Sequence, residues 1–90
     1  MPRPDDDTLK TLLPLLRQLR EIKGVREARP GAFTVRGASF INLQAEAGQV
    51  WAEMKKAGGA GFDRYPLATP PEHRKLVDDA RRRAAALDDE

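Results

Sequence analysis

The stretch AFTVRGASFINLQAEAGQVWAEMK, residues 32–55, decides the fold of this chain. Apolar and polar residues alternate through it, the period of a strand with one buried face. Ala32 to Arg36 and Phe40 to Ala45 read as a hairpin around Gly37-Ala38-Ser39. Glu46-Ala47-Gly48-Gln49 then turns the chain into a further strand, Val50 to Lys55. With a three-residue first loop, Phe33, Val35, Ile41 and Leu43 share a face, and the second turn adds Val50, Ala52 and Met54. That face is nearly all apolar and is the expected core. The opposite face then carries Thr34, Arg36, Phe40, Asn42, Gln44, Trp51, Glu53 and Lys55. A two-residue loop at Gly37-Ala38 would instead move Phe40 to the Val35 face, because a one-residue change of register flips every side chain.

Outward from this core, Val25 to Ala28 reads as a short edge segment, ended by Arg29-Pro30-Gly31. The glycine-rich run Ala57 to Gly61 reads as a flexible turn into a last strand, Phe62 to Leu67, whose Tyr65 joins the Phe40 and Trp51 face. Leu9, Leu12, Leu13, Leu16, Leu19 and Ile22 recur at helical spacing, which predicts a helix over about 7–23 with Asp5 to Asp7 as N-cap candidates. Pro14 interrupts this pattern, so the helix is expected to kink there or to begin near Thr11. Thr69-Pro70-Pro71-Glu72 is a capping box with proline at the first helical position, and it predicts a second helix. His73, Leu76, Val77, Ala80, Ala84 and Leu87 form its apolar side, and its polar side offers acid–base pairs four residues apart, such as Asp79 and Arg83. The expected fold is α+β: an antiparallel meander of three or four strands with an N-terminal and a C-terminal helix packed on one face. Residues 1–90 read as a single domain, with about 1–6 and 88–90 frayed.

Composition narrows the function classes. The chain has 90 residues, a net charge of +2, 40% hydrophobic and 33% charged residues, and no cysteine. A domain of this size has little spare core for a deep pocket. No disulfide, cysteine-based zinc site or thiol nucleophile exists, and one histidine makes no standard metal site. No apolar run is long enough to span a membrane, and no secretory leader is expected. These features point to the cytoplasm. No cofactor, metal or membrane partner is expected.

The remaining chemistry is sparse. His73 reads as a structural histidine in the first turn of the second helix. Ser39, the only serine, sits in a turn, and no nucleophile-elbow motif surrounds it. Gly58, Gly59 and Gly61 match neither phosphate-loop pattern. Arg81-Arg82-Arg83 lies at a helix C-terminus, where cations are favoured. Lys10, Arg17, Arg20, Lys23, Arg26, Arg29 and Arg36 are set against only Glu21 and Glu27 between residues 8 and 36. They could form a basic strip that holds phosphates.

The residues Gly24-Val25, Phe33 to Leu43 and Val50 to Lys55, ending in Met54-Lys55, resemble the small bacterial MmcQ/YjbR-like domains over residues 24–56. The family pattern of a strand, a glycine-containing turn, a Phe-led strand and a strand ending in lysine is present. The family's Trp-bearing final strand and Ser-Tyr ending are not. The resemblance implies a fold related to double-wing DNA-binding modules. It carries over no catalytic residue.

The resulting expectation is a non-enzymatic binding or self-association module, most simply a homodimer. It would use a free sheet face bearing Phe40, Asn42, Trp51, Lys55 and Tyr65. The alternative is a nucleic-acid-binding module, with the aromatics stacking on bases and Arg17, Arg20, Arg26, Arg29 and Arg36 contacting phosphates. A small hydrolase is third and would need Ser39, His73 and an acid such as Asp63 to converge.

Overall fold

The computed structural model describes residues 4–56 and 61–88. Among them the elements run α1 (Asp6–Thr11), α2 (Leu13–Arg20), β1 (Val25–Arg29), β2 (Ala32–Val35), β3 (Ala38–Glu46), β4 (Gln49–Lys55), β5 (Phe62–Pro66) and α3 (Pro70–Asp88). The strands form one antiparallel sheet in the order β1-β2-β3-β4-β5, an α+β meander. It has one strand more than the upper expectation, because Val25–Arg29 pairs with β2 as an edge strand, with a register shift between Glu27 and Arg29.

The N-terminal stripe of leucines folds as two helices. Pro14 has no N–H to give the Lys10 carbonyl, and its ring crowds that oxygen. The chain breaks at Leu12 (φ −102°, ψ 7°), and Pro14 falls in the first turn of α2, where a missing N–H costs nothing. The break re-phases the stripe. Leu12, Leu15, Leu16, Leu19 and Ile22 enter the core, while Leu13 turns out and is 43% exposed. Asp5 caps α1 by accepting the Thr8 N–H at 2.8 Å, and that bond holds its carboxyl below the usual range. Asp5 and Asp6 thus cap and open α1, and α3 runs to Asp88. Residues 1–3, 89–90 and the turn residues 57–60 lie outside the described residues.

The β2–β3 and β3–β4 hairpins have two-residue loops of one kind. Arg36 and Gly37 have φ of 53° and 82°, and Ala47 and Gly48 have φ of 53° and 76°. Positive φ at both central positions is the turn whose twist matches paired strands. The first loop is thus Arg36-Gly37, not the expected Gly37-Ala38-Ser39, and Val35 pairs with Ala38. That register alone would put Phe40 inside but turn Ile41 and Leu43 out. A β-bulge resolves the conflict. Thr34 pairs with Ser39 while Phe33 pairs with Ile41, so Phe40 is the extra residue of β3. Phe40 and Ile41 then both face the helices, each 0% exposed.

The core lies between the helices and this one face. Phe33, Val35, Phe40, Ile41, Leu43, Ala52, Met54 and Tyr65 meet Leu15, Leu16 and Leu19 of α2, the flanking Leu12 and Ile22, and Leu76, Val77, Ala80 and Ala84 of α3. Glu72 opens α3 by accepting the N–H groups of Ala68 and Thr69 at 2.8 and 2.9 Å. The charges of α3 turn toward the sheet more than along the helix. Asp79 accepts the Tyr65 hydroxyl at 2.8 Å and pairs with Arg82. Arg83 donates to Asp63 at 2.8 Å and to the Lys55 carbonyl at 3.2 Å.

Candidate functional site

The register fixes what the helix-free face presents. One row runs Arg29, Ala32, Asn42, Glu53 and Arg64. The next holds Gln44, Trp51 and Pro66. Toward the Arg36-Gly37 turn, Arg26 and Thr34 lie on one side of the bulge, and Lys55 and Phe62 on the other. Amides and an indole therefore sit centrally, with Arg26 and Arg29 at one margin and Lys55 and Arg64 at the other. Glu53 is the acid among them, with Glu46 beside the Ala47-Gly48 turn.

Trp51 is the centre of this face. It is only 7% exposed, although no helix covers it and it stands apart from the main core. The Arg64 guanidinium lies over its ring, 4.1 Å from the centroid. Arg64 is opposite Glu53 in the ladder, yet its guanidinium has no ion pair or hydrogen bond among the described residues. The Trp51 indole N–H is buried and has no acceptor there either. Such a buried, unmade donor costs roughly 1–3 kcal/mol. Its neighbour Gln44 is 5% exposed, the one buried polar side chain among the described residues.

A cleft of about 500 Å³ adjoins this pair at the Ala47-Gly48 end of the sheet, lined by Gly48, Gln49, Val50, Trp51, Arg64, Pro66, Leu67 and Ala68. Its walls are mostly apolar, and Arg64 is its one charged residue. The Leu67 N–H donates to the Val50 carbonyl at 3.0 Å and closes the strand ladder there. A second cleft, of about 430 Å³, lies across Gln44 and includes Arg29, Asn42 and Pro4.

The expected interface residues divide. Trp51, Asn42 and Lys55 stand on the open face. Phe40 and Tyr65 do not: both belong to the core. The Arg36-Gly37 turn puts Phe40 on the Val35 side, and pairing with Ala52 places Tyr65 on the helix side. Burial and the Asp79 bond push the Tyr65 phenol up to about 12, while the Arg83 charge opposes the shift.

The basic strip divides in the same way. Arg17 is on α2, in the helix layer, and Arg20 donates to Glu27 at 2.5 Å, tying α2 to β1. Arg36 is at the tip of the first hairpin. Arg26 and Arg29 alone of the five reach the open face. Arg64 was not among the expected contacts. Its place depends on how β5 pairs with β4, which local alternation does not reveal.

The residues a hydrolase would need are not brought together. The His73 Nε2 is 2.9 Å from the Leu67 carbonyl. A carbonyl only accepts, so Nε2 carries the proton, and the ring ties the loop before α3 to its first turn. Ser39 lines a small cleft with Leu87, at the other end of α3. His73 and Leu87 are ~21 Å apart along the helix at 1.5 Å per residue. Asp63 is held by Arg83 and Lys56. Among the described residues no group of three or more acids and histidines could hold a metal ion. No helix there is long and apolar enough to cross a membrane.

No protein-family model matches the chain, and no curated protein or solved structure matches it.

Proposed function

We propose that this chain is a non-enzymatic binding module of the cytoplasm, that it works through the helix-free face of its sheet, and that its ligand is single-stranded nucleic acid. The observation that carries the reading is the Trp51–Arg64 pair: an aromatic ring on the helix-free sheet face under a guanidinium that has no ion pair among the described residues. Sequence-tolerant binding of single strands combines stacking on such groups with cations that follow the backbone. Arg26 and Arg29 on one margin and Lys55 and Arg64 on the other supply the cations, and Asn42 and Gln44 supply amides between them. The expected apolar anchors Phe40 and Tyr65 are buried, which leaves this face polar and favours a polar ligand over a second apolar surface.

The test is fluorescence polarisation of a labelled mixed-sequence oligonucleotide at several salt concentrations. Affinity should fall steeply with salt. The double variant Arg26→Ala, Arg29→Ala should weaken binding and flatten the salt slope. Absence of binding at low salt would overturn the reading.

A second reading, self-association as a homodimer, is favoured by one observation. Phe62 is 44% exposed on β5, the edge strand. A mass that rises with concentration and returns to the monomer value in Phe62→Lys would support it.

A further inference from the structure

The cleft beside Trp51 differs from the second cleft on this face, across Gln44, in its mostly apolar walls. We propose that it is a subsite for one nucleotide, a planar base carrying a phosphate, either free or within a strand. This rests on the nucleic-acid reading but commits to a site that the reading alone does not require.

Four observations converge on it. The volume, about 500 Å³, falls in the range of small-ligand sites. The walls, Val50, Trp51, Pro66 and Leu67, are apolar and suit a flat ring. Among the described residues Arg64 is the one charged group in the lining and holds no ion pair or hydrogen bond, so its donors are available to a phosphate. Guanidinium presents them as a planar fork, which suits a phosphate better than a point charge does. Finally, Trp51 forms part of the wall and is more than nine-tenths buried, yet its N–H has no acceptor among the described residues.

The pairing of Trp51 with Arg64 suggests how the subsite works. With no ligand, the guanidinium rests on the indole. It is anchored by that contact alone and stands on an exposed residue, so it can swing toward an arriving phosphate. That movement uncovers the indole face for the base and opens its N–H to an acceptor. The Gln49 amide, also in the lining, can reach the base edge. A phosphate without a base would gain only the ion pair. A base without a phosphate would have to displace Arg64 with nothing to hold it aside. Both halves of a nucleotide are needed.

The experiment uses the single tryptophan. In a ¹H–¹⁵N spectrum of the full chain, the indole N–H of Trp51 gives one separate signal. A nucleoside monophosphate is titrated in, with the matching nucleoside and inorganic phosphate as controls. The expected result is a saturable shift of the indole signal with the monophosphate, and a shift at least about tenfold weaker in apparent affinity with either control. Arg64→Lys keeps the charge but loses the fork, and should weaken the monophosphate about tenfold while the backbone spectrum stays folded. No shift with the monophosphate, or equal shifts with inorganic phosphate, would overturn the subsite. An oligonucleotide that binds while the monophosphate does not would remove the subsite and leave the sheet-face reading standing. A monophosphate that binds while the oligonucleotide does not would leave the cleft a small-molecule site and remove the strand.

Discussion

The Arg64 guanidinium stands 4.1 Å from the centre of the Trp51 ring, two residues further along the same face of neighbouring strands. The contact lays a cation over the aromatic ring of a sheet face that no described helix covers. Cation–π contacts of this kind contribute about 0.5–1 kcal/mol at exposed sites.

Removing the cation should therefore uncover the ring more than it unfolds the protein. Arg64→Ala is expected to shift Trp51 emission to longer wavelength and raise its quenching by acrylamide, with a stability loss of about 1 kcal/mol or less. Emission and quenching identical to the parent would show that Arg64 is not the cover.

Tyr65 links the sheet to α3 through Asp79, and its pKa sets a pH limit. Its phenol is pushed from 10.0 up to about 12 in the folded protein, so the fold holds the proton more tightly than the unfolded chain does. The unfolded chain then binds fewer protons above pH 10, and stability falls as pH rises. The contribution is fully present below pH 10 and is lost between pH 10 and about 12. Urea midpoints measured across this window should decline for the parent and decline less for Tyr65→Phe. At neutral pH that variant should cost roughly 1.5–3 kcal/mol, for a hydrogen bond to a charged acceptor.

Glu72 satisfies two backbone N–H groups ahead of α3. Glu72→Ala is expected to cost about 1 kcal/mol, the usual loss on removing a helix cap. Urea denaturation reads the change, and a midpoint equal to the parent's would assign the cap to another group.

Ala47 is exposed and holds a φ of 53° in the second hairpin turn, a conformation that costs an alanine about 1 kcal/mol. Asparagine tolerates it. Ala47→Asn should raise stability by up to about 1 kcal/mol, or ~4–8 °C in Tm for a domain of this size. A lower Tm would contradict the turn geometry.

Phe40 and Asn42 test the bulge. Phe40→Ala removes a fully buried ring and should cost ~3–5 kcal/mol. Asn42→Ala, on the open face two residues away, should stay within ~0.5 kcal/mol. Without the bulge, Phe40 would lie opposite Phe33 and Ile41 would face outward with Trp51; a small loss from Ile41→Ala would then be expected in place of a large one.

Much of the architecture follows from local patterns. The Thr69-to-Glu72 signature, the alternation of residues 32–55 and the leucine spacing before Gly24 each act within a few residues. That is why the succession of helical segment, antiparallel meander and helix, the turn within Glu46–Gln49 and the shared face of Ile41, Leu43, Val50, Ala52 and Met54 were legible. Asn42, Trp51 and Lys55 were correctly placed on the open face, because β3 and β4 are joined by a turn short enough to fix their register. The core position of Leu15 in place of Leu13 was not legible. It depends on where Pro14 breaks the helix, and two break points satisfy the same spacing.

By itself, then, the sequence determined a cysteine-free α+β meander with a helix before it and a helix after it. Period and capping are properties of neighbouring residues. Only the tertiary structure decided that Phe40 and Tyr65 are core, that Glu27 takes Arg20 from the basic strip, and that Arg64 lies over Trp51. Each of these depends on strand register or on helix–sheet packing. A side chain's face changes with a single-residue bulge, and partners on separate strands meet only once the long-range pairing is set.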